Sequence, residues 1–338
     1  MYFFFIYTFV NFAVAVRPES ALSSGDLSPI TLRAEFGENY FARIPADFID
    51  ARNQSHRGII RMDFSNEPQP RGVVSTTWND ISYRSVSFGD DSVRLDLENF
   101  ASDAINPFMI MQMGPQSPLI STATNSAGYG PRGYIIAPIS DEAADFVINP
   151  SNPREYALGG EIFYAPRNPE NQAFWIVPAA VRLVNNESEQ SSSPNESDLT
   201  FCAVFDRALQ LINPTRMVQY PTVPDRIFQQ VLSRLSALGV SLIHRGPRLL
   251  NFDESMYDNL PSIQFIMETD DERLISLAVI EPREYIGHTF AGRYALRLRT
   301  SNPTNQDCTL TRSILEKLVI HLDIDNTRIG FGEPLIEL

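Results

Sequence analysis

The stretch Leu199–Tyr220 constrains what this chain can fold into more than any other. Phe201-Cys202-Ala203-Val204-Phe205 is an unbroken apolar run, the composition of a strand, and it delivers Asp206 into a turn. Leu209, Leu211 and Ile212 follow, and Asn213-Pro214-Thr215 then breaks the chain on its way to a helix. A weaker version of the same order occurs earlier. Ile59-Ile60-Arg61-Met62 leads to Asp63, and Phe64-Ser65-Asn66 follows it. A surface aspartate ending an ordinary strand has the same appearance. Two such strand ends in 338 residues suit a chain too long for one core and right for two lobes of about 150 residues each.

Composition excludes several classes. At 43% hydrophobic and 11% aromatic residues the chain has enough apolar matter to pack throughout. Its 41 acidic against 27 basic residues give a net charge of -14, with no basic stripe to follow a nucleic acid, so none is expected as a partner. His56, His244, His288 and His321 show no metal-ligand spacing, and neither a metal nor another cofactor is expected. Gly128-Tyr129-Gly130 is too little for a phosphate loop, and there is no Gly-x-Ser-x-Gly elbow for a serine hydrolase.

Residues 1–15 read as a signal peptide, an apolar run ending in Ala13-Val14-Ala15, although no basic residue precedes it. The alternative is a buried N-terminal strand. No other run reaches the roughly 20 apolar residues that cross a bilayer, so the protein without its signal is expected to be free of the membrane and secreted, luminal or vacuolar. Three N-glycosylation triplets begin at Asn53, Asn186 and Asn195, the last two in a Ser/Glu/Asn-rich stretch with the composition of an exposed loop. Cys202 and Cys308 are the only cysteines, and form either one bridge or two buried thiols, with a secreted chain favouring the bridge.

In chain order the segments resemble the pepsin-like aspartic proteases. Glu38-Asn39-Tyr40-Phe41-Ala42-Arg43-Ile44 is similar to the strand that opens their first lobe. The segments around Asp63 and Asp206 resemble the two Asp-Thr-Gly turns. Ile81–Ser87 running into Phe88-Gly89-Asp90-Asp91-Ser92 resembles the flap hairpin, with Gly89 and the acidic pair suited to a tight turn. Gly133–Ile139, Gly159-Gly160-Glu161-Ile162-Phe163, Phe174-Trp175-Ile176-Val177 and Asn259–Phe265 fall where the family has comparable strands. The most specific match is His321-Leu322-Asp323-Ile324-Asp325-Asn326-Thr327-Arg328-Ile329-Gly330-Phe331, which is very similar to the closing hairpin. The resemblance spans most of residues 38–333.

It implies a mainly β, bilobal fold of two β-barrel-like lobes with a cleft between them, as residues 16–168 and 169–338, and a monomer. Two helices are expected, a short one over Asp141–Ile148 and a longer one over Pro224–Leu238. In the longer segment Ile227, Val231, Leu235 and Leu238 keep the helical period and Gly239 supplies the stop. Only about 20 residues separate the signal from the first strand, hardly room for a prosegment.

The chemistry departs from the family. Its reaction needs two carboxylates sharing a proton, with threonine hydroxyls bracing the turns and glycines admitting backbone N–H groups. Here Asp63 and Asp206 stand at the catalytic positions, but Phe64 and Arg207 replace the threonines, and Ser65 and Ala208 the glycines. Thr311 replaces a glycine behind the second turn, and Phe88 replaces the flap tyrosine. Beside Asp206, Arg207 would favour the ionised carboxylates and remove the shared proton, unless its side chain points away. The expectation is a protein that binds a peptide or protein ligand in the cleft without cutting it. The alternative is an active aspartic endopeptidase with a degenerate motif.

Overall fold

The computed structural model describes residues 30–37, 40–63, 77–78, 81–88, 93–96, 110–112, 133–140, 142–168, 175–185, 193–195, 198–204, 221–241, 249–288, 293–300, 308–310, 312–315 and 317–336. Among these the chain is mainly β. Ten strands come first: β1 (Ile30–Gly37), β2 (Tyr40–Asp50), β3 (Ser55–Asp63), β4 (Thr77–Trp78), β5 (Ile81–Phe88), β6 (Val93–Asp96), β7 (Ile110–Gln112), β8 (Gly133–Ser140), β9 (Ala143–Ile148) and β10 (Phe163–Pro166). The hairpin joining β2 to β3 turns on Asp50, whose carboxylate accepts the backbone N–H groups of Arg52 and Gln54, both at 2.8 Å. Asn53 takes the left-handed conformation there (φ 59°), which asparagine tolerates well.

The second series is β11 (Ile176–Val184), β12 (Leu199–Ala203), β13 (Thr222–Val223), β14 (Leu249–Leu250), β15 (Ser262–Glu268), β16 (Leu274–Ile280), β17 (Ile286–His288), β18 (Tyr294–Leu296), β19 (Arg299–Thr300) and β20 (Cys308–Thr309). Strands β21 (Val319–Asp323) and β22 (Arg328–Gly332) close the chain. They do not join the second sheet. Instead β21 pairs with β8, and β10 lines up on β22, so the last hairpin completes the sheet that the first half began.

Two five-strand units repeat one topology. In the first, the order is β6-β5-β2-β3-β7, with every pair antiparallel except β3 and β7, which run parallel. The second is β16-β15-β11-β12-β20, again antiparallel except for the parallel pair of β12 and β20. A parallel neighbour inside an antiparallel unit requires a crossover, because a tight turn cannot return a chain in the same direction. The same exception falls at the same place in both units.

Residues 225–237 form α1, with Ile227, Phe228, Val231 and Leu235 buried on one face. The helix stops as expected, with Gly239 left-handed (φ 77°). Its N–H reaches Ser236 O at 3.0 Å and Val240 N–H reaches Leu235 O at 2.9 Å, the paired bonds of a Schellman ending.

The short helix expected over Asp141–Ile148 is not formed, since Ala143–Ile148 is strand β9. Asp141-Glu142-Ala143-Ala144 carries local helical preference, but β9 pairs with β8 on one side and β1 on the other. Its alternate residues Ala144, Phe146 and Ile148 enter the main core, while Val147 packs in a second cluster with Ile135, Ala137 and Ile162. A strand buried on both faces gains more from that packing than a few tenths of a kcal/mol of helical propensity can offset.

Cys202 and Cys308 face each other across the parallel β12–β20 pair, with Cα atoms 4.5 Å apart, and are joined by a disulfide. Of the two states left open by the sequence, the bridge is formed.

Candidate functional site

Asp63 is the last residue of β3, opposite Gln112 of the parallel strand β7. Its backbone is thus fixed at the point where the crossover of the first unit passes. In the second unit the corresponding strand is β12, where Ala203 lies opposite Thr309. Val204, fully buried, extends the run by donating its N–H to Trp175 O at 2.8 Å. Asp206 stands two positions further along the sequence. Matching β2-β3-β7 to β11-β12-β20 sets the end of β3 against the end of β12.

Several expected site residues lie outside the described residues: Phe64, Ser65, Gly89, Asp206, Arg207, Ala208, Thr311 and Asn186. Phe88 ends β5 opposite Val93, so the described parts of the segment expected as a flap are two antiparallel strands, β5 and β6. Asn53 is exposed in the β2–β3 turn. Asn195 is also exposed, and its N–H donates to Asp198 Oδ2 at 2.8 Å.

The described residues hold another polar group, which sequence reasoning did not single out. It lies where β10, β21 and β22 meet. Tyr164 Oη and His321 Nδ1 are 2.9 Å apart. The Arg328 guanidinium lies 3.9 Å over the Tyr164 ring, and its Nε donates to Asp323 Oδ2 at 2.8 Å. Asn326 completes the set, donating its side-chain N–H to both Asp323 oxygens and its backbone N–H to Oδ1. Burial works to raise the Asp323 carboxyl, but the hydrogen bonds from Arg328 and Asn326 outweigh it and hold the group below the usual carboxylate range. Burial drives His321 the other way, down to about 4, and the Arg328 cation adds to that against the pull of Asp323. His321 is therefore a neutral imidazole near pH 7. The signal for this group was the closing hairpin itself; nothing local pointed to Tyr164, which is 157 positions away.

Near the β2–β3 turn, His56 Nε2 is 3.2 Å from Asp50 Oδ2. The backbone bond from Gln54 is the main cause that holds the Asp50 carboxyl low. This pair ties a turn together. Among the described residues no group of three His, Cys, Asp or Glu side chains could hold a metal ion, and no helix is long and apolar enough to cross a membrane.

No protein-family model and no curated protein matches the sequence. In its fold the protein matches 376 solved chains. An aspartic proteinase from Irpex lacteus superposes with a TM-score of 0.53 over 91% of this chain and 98% of its own, at 12% identity. Basic 7S globulin from soybean does so with a TM-score of 0.55 over 90% and 96%, at 10% identity. The protein thus has the mainly β, bilobal fold of the pepsin-like aspartic proteases, with two β-barrel-like lobes and a cleft between them. Identities this low speak for the fold alone.

Proposed function

We propose that this is a secreted aspartic protease-like protein that takes a peptide or protein ligand into its cleft and does not hydrolyse it. The observation that carries the reading is the sequence at the two candidate turns. Asp63-Phe64-Ser65 and Asp206-Arg207-Ala208 keep the carboxylates and lose both bracing hydroxyls and both glycines. Without those groups a water between the carboxylates loses its donors, and an ionised pair cannot supply the acid half of the reaction. Loss of general acid–base help alone is worth about 10²–10⁴ in rate. The duplicated strand topology supports the placement of Asp63 at one of two equivalent crossover ends. The N-terminal apolar segment supports secretion, with Asn53, Asn186 and Asn195 as glycosylation sites.

Asp63 and Asp206 themselves favour a second reading, an active aspartic endopeptidase that uses them for peptide-bond hydrolysis. One experiment separates the two. The protein recovered from a secreting host is incubated with an unfolded protein and a peptide library from about pH 3 to pH 7, and products are followed by mass spectrometry. Calorimetry with a statine-type peptide runs in parallel. We expect binding without cleavage. Cleavage that Asp206→Asn abolishes would establish the endopeptidase instead, and failure to bind any peptide would remove the ligand-binding reading.

A further inference from the structure

We propose that Tyr164 and His321 form an acid-operated latch that holds the β15–β16 hairpin of the second sheet against the closing hairpin of the first. Tyr164 is the node. Its ring lies against Gly330, where an added Cβ would come within 2.7 Å of Tyr164 Cε1. Its hydroxyl meets His321, and its backbone oxygen accepts the N–H of Asp270 at 2.7 Å, in the turn between β15 and β16. Arg328, lying over the same ring, reaches Asp270 Oδ2 at 3.4 Å. Arg273 of that turn stacks 5.2 Å from the neighbouring Phe163 ring. His321 is thus two contacts away from a part of the second sheet that touches β10 and β22 through polar groups.

The surroundings compensate a proton on His321 only in part, since the pull of Asp323 falls short of the cost of burial and the Arg328 cation. On its own strand the charged neighbour is Asp323, whose oxygens are already engaged by Arg328 and Asn326. From β22 comes the Arg328 cation; from β10, the Tyr164 hydroxyl; from the β15–β16 turn, Asp270, which Arg328 occupies. Arg154 adds a further positive charge that Tyr164 feels. β8 offers no charge, only Ile135 opposite His321 and Gly133, where an added Cβ would lie 3.2 Å from Nε2. An imidazolium formed here faces a guanidinium across one ring in apolar surroundings, and the cheapest relief is for Tyr164 and Arg328 to move. Movement of Arg328 releases the Asp270 carboxylate, and movement of the Tyr164 ring takes away the surface on which Arg328 rests.

The test is hydrogen exchange by mass spectrometry on the full chain between about pH 7 and pH 4, corrected for intrinsic rates, comparing residues 267–275 with α1. We expect protection of 267–275 to fall about tenfold or more beyond any fall in α1 on acidification. His321→Phe should make the response flat, and Asp270→Asn should lower protection of 267–275 already at neutral pH. Should His321→Phe fail to fold, the His321 ring carbon–proton signals of the unaltered protein decide by NMR, since the latch requires them to titrate together with the loss of protection. Protection independent of pH, an equal fall in α1, an undiminished response in His321→Phe, or ring signals titrating apart from the exchange would each overturn the latch.

Discussion

Removing the disulfide by Cys202→Ala with Cys308→Ala should cost the protein close to half of an ordinary domain's stability. The bridge joins positions 106 apart in sequence, and both cysteines are fully buried between β12 and β20. Chain entropy sets the scale, because closing a loop of that size in the unfolded state lowers its entropy by an amount equivalent to about 4.7 kcal/mol. Native domains have only about 5–15 kcal/mol to lose. Two features of the structure keep the full effect in view. The sulfurs lie in a parallel pair whose registers, Cys202 with Cys308 and Ala203 with Thr309, are held by backbone bonds as well, so the native state is not expected to rearrange when they go. Truncation to alanine removes only one small atom from each side. Urea denaturation followed by fluorescence measures the loss, and the slope should rise because the unfolded chain expands without its cross-link. Burial adds a kinetic expectation, that a mild reductant leaves the folded protein intact until denaturant opens it. A loss below about 1 kcal/mol with an unchanged slope would refute the entropic argument and imply that the unfolded chain is held compact by other means.

Acid should weaken the fold through His321. Its folded value near 4 lies below the ordinary 6.5, so between those values the unfolded chain binds more protons and stability falls as pH falls. The full shift corresponds to about 3 kcal/mol, complete below about pH 4. Denaturant midpoints should show it in the unaltered protein, and His321→Leu should lack it across that window. Leu235→Ala, on the buried face of α1, should cost about 2–5 kcal/mol by the same measurement, and a change near zero would mean the helix does not pack on the core as described. Gly330→Ala should cost about 1–3 kcal/mol by overpacking, since its Cβ would fall 2.5 Å from Ile162 Cγ2 and 2.7 Å from the Tyr164 ring. A neutral result would show that the Tyr164 ring is free to move.

What could be read from the sequence was local. The helix over Asp225–Ala237 announces itself by its apolar spacing and Gly239, and the β21–β22 hairpin by the resemblance of His321–Phe331 to a closing hairpin. Asp63 was legible as a strand end, since Ile59, Ile60 and Met62 before it specify the strand and Ser65-Asn66 after it the exit. Beyond that reach, pairing partners decide. Residues Ala143–Ile148 look helical until β1 and β8 flank them, and β1 comes from the far end of the first half of the chain. Two cysteines 106 apart could be a bridge or two thiols until β12 and β20 are laid side by side. Tyr164 means nothing by itself; its role exists only once the chain has returned to set His321 and Arg328 against it.

The two candidate turns separate what a scaffold requires from what a reaction requires. For the fold, each unit needs an apolar strand that ends where a parallel neighbour crosses, and both Ile59–Asp63 and Phe201–Phe205 answer that need. Burial rewards such residues at roughly 25 cal/mol per Å² whatever the turn later does. Threonine hydroxyls and glycine backbones at the turns add little to that packing; they matter when two carboxylates must share a proton. In the proposed reading Phe64, Ser65, Arg207 and Ala208 stand in their places, which would leave the strands their apolar residues and take from the turns their donors. A side chain as large as phenylalanine or arginine next to each aspartate also brings something a catalytic turn excludes, apolar area at one and a fixed positive charge at the other. Those are properties that hold a bound chain in place. The binding reading rests on this asymmetry, and it specifies the ligand's chemistry at the Arg207 end. A peptide with an acidic side chain or a free carboxyl terminus should bind more tightly than its amide, and equal affinities in calorimetry would place Arg207 away from the ligand.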